Sequence, residues 1–319
     1  MNTNFKLSNS QQGRMILGVI GVFLVFVCMI VCCIIVLTGY YFYTFQTLAL
    51  PEETFVDQNG VTMRLIPAGE FTMGSNKGYD DAKPAHQIYL DSFYIDQFEV
   101  TNALYTMCVD SEVCLLPRYS SSSNNSIYYG DASFDNYPVV YVDWFDAKTF
   151  CEWRGMRLPT EAEWEKAARG NDGRTYPWGE DSMCGLYSNC DLGDTIFVGA
   201  YESGKSVYGV YDMGGNVSEW VSSLYKPYPY LLTDGREDLT SDEYRIIKGG
   251  SWNNMSYGTD LRSFLRSKQS PSYNSNRIGF RCARDIVSNP NTPSDHSSIL
   301  YRLLIHIHLW VDQNSRRFS

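Results

Sequence analysis

Lysine, arginine and histidine are scarce in this sequence, and their scarcity excludes several classes of function. The 319 residues include 26 Lys and Arg against 36 Asp and Glu, with only 4 His, and the formal net charge is −10. Nucleic-acid binding requires clustered positive charge, so we expect no nucleic-acid partner. The chain also lacks a C-x-x-C pair and has no histidine near a cysteine in sequence. It therefore offers no support for a zinc site.

Helix signals are few, whereas tyrosine and turn-forming residues are abundant. The sequence has 24 Tyr, 25 Gly and 12 Pro. Its length suggests one large domain or two small ones. This composition predicts a turn-rich fold that is packed largely through aromatic side chains.

The one long uncharged stretch is Met15–Val36, which has the roughly 20 apolar residues that a bilayer crossing needs. A cleaved signal peptide would have a shorter apolar core and a small-residue cleavage site, and neither is visible. The stretch therefore predicts a transmembrane helix. A helix buried in a protein core is the alternative.

The charges around this stretch predict its orientation. Lys6 and Arg14 precede it and acidic residues follow it, so residues 1–14 are expected in the cytoplasm. Residues 15–43 would then form the transmembrane helix with an aromatic belt, Tyr40–Tyr43, at the outer interface. The prediction is a single-pass membrane protein whose C-terminal domain is extracytoplasmic.

The cysteines divide between the apolar stretch and the rest of the chain. Three of the nine lie in that stretch, and an even number, six, lies beyond it, which suggests disulfides in an oxidising compartment. Two pairs are close in sequence and would close local loops, which leaves one pair to close a long loop. The expected pairs are Cys108 with Cys114, Cys184 with Cys190, and Cys151 with Cys282.

Strand patterns recur through the middle of the chain. Residues 61–75 and 86–101 alternate apolar and polar side chains, and short strand-like runs return at 245–252 and 277–285. Arg174–Lys205 is rich in glycine and aspartate and predicts a long loop region.

Helices are predicted at three places by their capping residues. A threonine precedes a short helix over Asn102–Val109. Residues 143–155 open on aspartates and end at a glycine, and Thr160 with Glu163 forms a capping box for residues 160–170.

Seven stretches of this sequence, in order, resemble the formylglycine-generating enzyme (sulfatase-modifying factor) domain family. They cover residues 61–285 and leave a linker at 44–60 and a tail of unknown role at 286–319. The resemblance implies an α+β, loop-rich, C-type-lectin-like fold and a Cys151–Cys282 disulfide. The stretches are "IPAGEFTMGS", "PAHQIYLDSFYIDQFEVTN", "YPVVYVDWFDAKTFCEWRGMRLPTEAEWEKAARG", "YPWGE", "YGVYDMGGNVSEWV", "RIIKGGSW" and "NRIGFRCARD".

The segment "DMGGNVSE" is a candidate calcium site. Calcium prefers several oxygen ligands, and carboxylates around a glycine turn can supply them together with backbone carbonyls. The resemblance implies a calcium ligand set at Asp212, Gly215, Val217 and Glu219. From the residues alone, an equally good interpretation makes Asp212 a turn cap and Glu219 the partner of an arginine.

The resemblance implies a second calcium set, on a loop whose length differs from that of the family. Its ligands would be the Asn189 side chain, the Cys190 carbonyl and the Asp194 carboxylate.

The copper site of the family is replaced here. Family enzymes oxidise a substrate cysteine with O₂ at Cu(I), which soft thiolate ligands select. Alignment on "KGGSW" places Asn254 and Thr259 at the positions of the two copper-binding cysteines. Ser218 replaces the tryptophan of the active site, and Ser251 is the retained residue of the oxygen pocket. We therefore expect copper to be absent and predict no copper oxidase activity.

A histidine-held iron site, which the wider superfamily uses, is also not expected. It would need several histidines ahead of the tail, and His86 is the only one.

The arginines near the altered site allow two interpretations. They could bind an anion or a peptide carboxylate, or they could be structural partners of buried acids such as Glu161, Glu163 and Glu219. They are Arg245, Arg262, Arg266, Arg277, Arg281 and Arg284.

Together these features predict a membrane-anchored, calcium-stabilised binding module, a pseudoenzyme, whose ligand is an unknown protein, peptide or glycan. The alternative is a formylglycine-generating oxidase that converts a sulfatase cysteine to formylglycine. An unrelated enzyme in the same cleft is less favoured, because no nucleophile–base pair is evident.

Overall fold

A computed structural model describes residues 53–253 and 261–286, together with four helical residues with exposed side chains, Met29, Val31, Cys33 and Ile34. The chain divides into two compact units, and Glu52–Val287 is the one that contains the elements below. Most of the predicted membrane segment and the tail from residue 287 lie outside the described residues. Among the residues described, no helix combines the length and hydropathy that a bilayer crossing needs.

The unit Glu52–Val287 is mixed α/β, as predicted. The described residues contain three α-helices and ten short strands. The helices are α1 (Asn102–Asp110), α2 (Trp144–Trp153) and α3 (Glu161–Arg169). The strands are β1 (Thr54–Val56), β2 (Thr62–Ile66), β3 (Gly69–Met73), β4 (His86–Leu90), β5 (Phe93–Asp96), β6 (Ser218–Leu224), β7 (Arg245–Lys248), β8 (Ser267–Gln269), β9 (Ile278–Phe280) and β10 (Ala283–Asp285).

The strands form three small sheets. The first has the order β1-β2-β5-β10, with antiparallel neighbours throughout. The second is the antiparallel pair β3-β4. The third has the order β8-β7-β6-β9, in which only β6 and β9 run parallel. The third sheet carries the candidate site, because β6 begins and β7 ends beside it.

The first strand lies within residues 44–60, where the sequence predicted a linker. Thr54–Val56 pairs with β2, and the buried Asp57 that follows binds Arg154, with an Oδ2 to Nη2 distance of 2.7 Å. The sheet therefore begins ahead of residue 61. A strand of three residues is too short to show alternation in sequence.

The helices begin where their capping residues predict. The side chain of Thr101 accepts the Leu104 amide, and both α2 and α3 have a complete capping box. In α3 all nine residues are buried, including its charged ones, and Trp164 is fully buried. Because α3 packs against β3, β6 and β7, its charged side chains reach the candidate site from behind the sheet.

The structure pairs the six cysteines of this unit as the sequence predicts. The Cα–Cα distances are 5.3 Å, 5.6 Å and 5.9 Å, within the usual range for disulfides. The pairs are Cys108–Cys114, Cys151–Cys282 and Cys184–Cys190.

Candidate functional site

A pocket of about 300 Å³ lies at the end of the third sheet, where β6, β7 and β8 meet. Ser218 at the start of β6 lines it, as do Gly249 and Gly250 after β7. Both glycines have positive φ, at 89° and 71°, so the chain turns sharply out of β7 here. The remaining lining residues are Tyr79, Ile247, Lys248, Leu265, Arg266 and Ser267.

This pocket lies where the altered copper site was predicted. Ser218 lines it, and Ser251, which is buried, follows directly on the wall at Gly250. Asn254 and Thr259 lie outside the described residues. The structure therefore brings Ser218 to the same pocket wall as the "KGGS" turn.

The two cations in the pocket wall point away from the pocket. Lys248 lies 3.1 Å from Glu165, and Arg266 makes a bidentate contact with Glu161 at 2.6 Å and 3.0 Å. The Lys248 and Arg266 side chains have 0% exposure, so neither offers its charge to a ligand. We call Glu161, Glu165, Arg169, Lys248 and Arg266 the paired cluster, since each carboxylate has a cation within hydrogen-bonding distance.

Strand register explains why the Lys248 charge lies behind the pocket wall. Lys248 and Glu219 are cross-strand neighbours, and both side chains reach the helix α3, Lys248 through Glu165 and Glu219 through Trp164. Side chains alternate along a strand, so the residues on either side of them face the opposite way. Burial raises the pKa of Glu165, but Lys248 and Arg169 overcome it and hold this pKa below its usual value. Glu165 therefore stays ionised and balances one of the two positive charges that contact it.

A second buried charged region lies at the predicted calcium turn. Glu219 binds Arg281 through both carboxylate oxygens, at 2.6 Å and 2.7 Å, and also accepts the Trp164 indole N–H at 2.8 Å. Asp212 accepts the Gly199 amide at 2.7 Å. Glu219 thus has the arginine partner that the alternative interpretation gave it. A carboxylate can accept about four hydrogen bonds, so about one acceptor position of Glu219 stays available.

Glu99 joins this region, although the sequence did not predict it. Its Oε2 accepts from Asn216 Nδ2 at 2.6 Å, and its Oε1 accepts the Val217 amide at 3.1 Å. It lies in the run 86–101, where alternation of polar and apolar residues gives no sign of a buried acid. We call Glu99, Asp212, Glu219 and Arg281 the acidic cluster.

The acidic cluster holds three carboxylates against one guanidinium; Glu99, Glu219 and Arg281 are buried and Asp212 is half-buried. Burial, and next the charges of Asp212 and Glu219, raise the pKa of Glu99 well above its usual value. Burial, with a further contribution from Glu219, raises the pKa of Asp212 to about 6, although the Gly199 amide and Arg281 oppose it. A buried excess of negative charge is stable only if it takes up protons or a cation. Carboxylate oxygens are the kind of donor that a hard cation such as calcium prefers.

The backbone of the predicted turn is tightly constrained. Asp212 and Asn216 have positive φ, at 58° and 59°, and Gly215 has φ of 102°. A Cβ at Gly215 would lie 2.5 Å from the Asn189 carbonyl oxygen, so only glycine fits there. Val217 is fully buried beside Glu99. The predicted ligand positions Asp212, Gly215 and Val217 therefore lie on one fixed turn, and Glu219 follows on β6.

The second predicted calcium set fits a cation only in part. Asn189 is buried, its Oδ1 has no hydrogen-bond partner, and its Nδ2 donates to the Asp194 carbonyl at 2.9 Å. The Asp194 carboxylate is already occupied by donors from Ser122–Asn125 and Thr195. Cys190 is held in its disulfide beside Asn189. Asn189 Oδ1 is thus the one side-chain oxygen of this set that lacks a partner.

Three buried or half-buried acids have arginine partners, which favours the structural interpretation of the arginines near the pocket. The partner of Glu163, however, is Arg157, which is not one of the six arginines that the sequence places near the altered site. Arg262 lies 5.5 Å from the centre of the Tyr79 ring at the pocket edge. The ion pairs are Arg266–Glu161, Arg281–Glu219 and Arg157–Glu163.

Comparison with known proteins identifies similar chains. A family model described as "Sulfatase-modifying factor enzyme 1-like domain" matches residues 49–286, which include β1. The formylglycine-generating enzyme of Streptomyces coelicolor is 32% identical over 281 residues, covering 69% of this chain and 88% of the enzyme. The serine/threonine-protein kinase Pkn1 of Chlamydia trachomatis serovar L2 is 35% identical over 242 residues, covering 70% of this chain but only 38% of the kinase.

A solved structure has the same fold. PvdO from Pseudomonas aeruginosa superimposes with a TM-score of 0.60 at 25% identity, over 74% of this chain and 99% of PvdO. The mixed α/β architecture with three small sheets is thus shared with a protein of related sequence.

Proposed function

The chain belongs to the sulfatase-modifying factor enzyme 1-like domain family, and we propose that it is a membrane-anchored, extracytoplasmic member that binds a ligand without copper-oxidase chemistry. The ligand would be a protein segment, a peptide or a glycan, held in the pocket at the end of the third sheet. Calcium would stabilise the domain at the acidic cluster.

The cysteine pairing carries the non-catalytic part of this proposal. All six cysteines between residues 61 and 285 are in disulfides, and the positions aligned with the copper ligands are Asn254 and Thr259. Cu(I) selects soft thiolate ligands, and an amide or a hydroxyl is a poor substitute. The domain therefore has no free thiolate to offer.

The pocket chemistry supports a neutral ligand. The wall offers the hydroxyl groups of Ser218, Ser267 and Tyr79, the apolar side chains of Ile247 and Leu265, and main-chain groups. The cations behind it, Lys248 and Arg266, are each bound to a buried carboxylate of the paired cluster. Neutral polar groups with some apolar surface suit peptide backbone or sugar hydroxyls better than a phosphate or carboxylate.

The acidic cluster supports the calcium part. A calcium ion would neutralise the excess of negative charge in this cluster. It would also be a partner for the unpartnered Asn189 Oδ1 of the second predicted set. Asp212 and Glu219, with the main chain at Gly215 and Val217, would hold the ion.

The three disulfides support an extracytoplasmic location, because such bonds persist in oxidising compartments. A protease-protection assay on membrane vesicles tests the orientation. Finding residues 61–285 on the cytoplasmic side would overturn this part of the proposal.

The second candidate is a formylglycine-generating oxidase, which the 32% identity to the Streptomyces coelicolor enzyme favours. The two are separated by incubating the full chain with copper and a Cys-x-Pro-x-Arg peptide, then measuring the aldehyde by mass spectrometry. We expect no aldehyde. Turnover, or tight Cu(I) binding by two thiolates, would establish the oxidase instead.

A double variant provides the matched control. Asn254→Cys with Thr259→Cys restores thiolates at both aligned positions, so we expect it to bind Cu(I) where the natural chain does not. If the natural chain binds Cu(I) as tightly as the variant, the cysteine argument is wrong.

A further inference from the structure

We propose that Asn216 couples the acidic cluster to the pocket, so that a divalent cation bound at the cluster fixes the pocket wall at Gly249–Trp252. This inference rests on the calcium part of the proposed function. It adds a mechanism by which a cation bound at the acidic cluster changes the wall of the pocket.

Asn216 is the hydrogen-bonding centre of the region. It is 1% exposed, and its Nδ2 donates to Glu99 at 2.6 Å and to the Ile196 carbonyl at 3.3 Å. Its Oδ1 accepts from Asn189 Nδ2 at 3.3 Å and from the Ile196 amide at 3.0 Å. Its main-chain N–H donates to the Asn189 carbonyl at 2.7 Å, and its carbonyl accepts the Trp252 amide at 2.8 Å. Every polar group of this one residue therefore has a partner.

The pocket wall is tied to the same turn at both ends. The Gly249 carbonyl accepts the Gly215 amide at 2.8 Å, and three residues later the Trp252 amide donates to Asn216. The indole N–H of Trp252 also donates to the Asn276 carbonyl at 3.0 Å. Gly249 and Gly250 line the pocket between these two bonds, so a shift of the turn changes the wall directly.

The acidic cluster is tied to this turn from the other side. Glu99 uses one oxygen for Asn216 and the other for Val217, and its charge adds to those of Asp212 and Glu219. Without a cation these like charges repel one another, and with a cation they are drawn together. Because Glu99 accepts hydrogen bonds from Asn216 and Val217, a movement of its carboxylate also moves Asn216.

A second observation, independent of the carboxylates, points to a cation beside Asn216. Asn189 is 1% exposed, its Oδ1 lacks a partner, and its Nδ2 is bonded to Asn216. The neighbouring Ser188 is also buried, with an unpartnered Oγ. Both predicted cation sites thus contact the same asparagine, and Asn216 is a positioning residue for both.

Coupling of this kind is reciprocal, so a ligand in the pocket also raises the affinity of the cluster for the cation. The effect of the cation on the pocket wall can be measured without knowing the ligand, because the Trp252 amide hydrogen takes part in one of the hydrogen bonds that connect the wall to the turn.

Hydrogen–deuterium exchange of the full chain in detergent micelles, with and without calcium, tests the inference. In the natural chain we expect calcium to slow exchange in residues 212–217 and, by about tenfold, in residues 249–253. Asn216→Gly keeps the positive φ and the main-chain bonds but removes the link to Glu99. In that variant calcium should protect 212–217 while leaving 249–253 almost unchanged.

The outcomes separate the coupling from the calcium site. Protection of 212–217 alone in the natural chain would overturn the coupling and leave the calcium site standing. Protection of neither segment would overturn both. Equal protection of both segments in Asn216→Gly would show that the coupling does not run through Asn216.

Two further variants keep the test decisive. If Asn216→Gly does not fold, Glu99→Gln replaces it, because it keeps the shape of the side chain and removes its charge; we expect it to weaken protection at 249–253. Glu237→Gln changes a half-buried carboxylate that accepts hydrogen bonds from Ser222 and Tyr230 instead, and it should leave the coupling intact.

Discussion

The paired cluster is buried, and the acidic cluster is buried except for the half-buried Asp212, yet their charges are arranged in opposite ways. In the paired cluster every carboxylate meets a cation, whereas in the acidic cluster three carboxylates share one arginine. The first arrangement gives each cation of the pocket wall a carboxylate partner. The second leaves a charge that only protons or a cation can neutralise.

The difference separates a structural role from a binding role. A buried ion pair contributes little net stability, but removing one partner is costly because the other charge is left unpaired. A buried excess of like charge behaves in the opposite sense, since removing one charge relieves repulsion. Substituting glutamate by glutamine in each region therefore tests the comparison directly.

The largest effect is expected at the paired cluster. Glu161→Gln would leave the buried Arg266 guanidinium without its carboxylate, which should lower the free energy of unfolding by about 3–5 kcal/mol. Glu99→Gln in calcium-free buffer should instead change it little or raise it by about 1 kcal/mol. Urea denaturation of both variants measures the difference. A large loss for Glu99→Gln in chelator would mean that the acidic cluster is a structural network.

The next effect is that of calcium itself. We expect calcium at about one hundred times its dissociation constant to stabilise the natural chain by about 2.7 kcal/mol, and chelation to remove this gain. Asp212→Asn should abolish the difference, and it is the cleaner variant because Glu219→Ala would also leave Arg281 unpaired. Thermal melts with calcium and with chelator measure it. An unchanged melting temperature of the natural chain in chelator would remove calcium from the proposal.

A smaller effect is expected from pH. The pKa of Asp212 is raised to about 6 without a cation, and that of Glu99 is raised further above its usual value. Between the ordinary carboxyl pKa and these raised values the folded, calcium-free protein binds more protons than the unfolded chain. This contribution therefore increases its stability as pH falls, while protons compete with calcium.

The stabilisation by calcium should accordingly shrink between pH 7 and pH 5, on the order of 1 kcal/mol. Melts with calcium and with chelator at the two pH values check it, with Asp212→Asn as the control. A calcium effect that grows as pH falls would contradict the assignment of the cation to this cluster.

The helices and disulfides were predictable because their signals are local. The capping boxes of α2 and α3 each lie within four consecutive residues, and two of the three disulfides join cysteines six residues apart. The strand β6 was not predicted, because six of its seven residues are buried and no alternation is left to detect.

The site was predicted in part for the same reason. The turn from Asp212 to Glu219 is one short segment, so its ligand positions can be aligned from sequence. Glu99 bonds to Asn216 across 117 residues, and nothing in its own neighbourhood marks it as buried. The partners of Lys248 and Arg266 likewise depend on how α3 packs behind the third sheet.

The smallest effect is expected for an ion pair outside both clusters. On α2, Lys148 Nζ lies 2.7 Å from Glu152 Oε1, and the two side chains are 29% and 53% exposed. Glu152→Gln should lower the free energy of unfolding by less than about 0.5 kcal/mol, and 1 M salt should remove the difference, because water and ions screen an exposed pair. Glutamine substitution at Glu161 and at Glu152 thus compares the loss of a buried ion pair with the loss of an exposed one. If urea denaturation gave losses of equal size, pairing alone, and not burial, would set the cost, and the contrast between the two clusters would lose its physical basis.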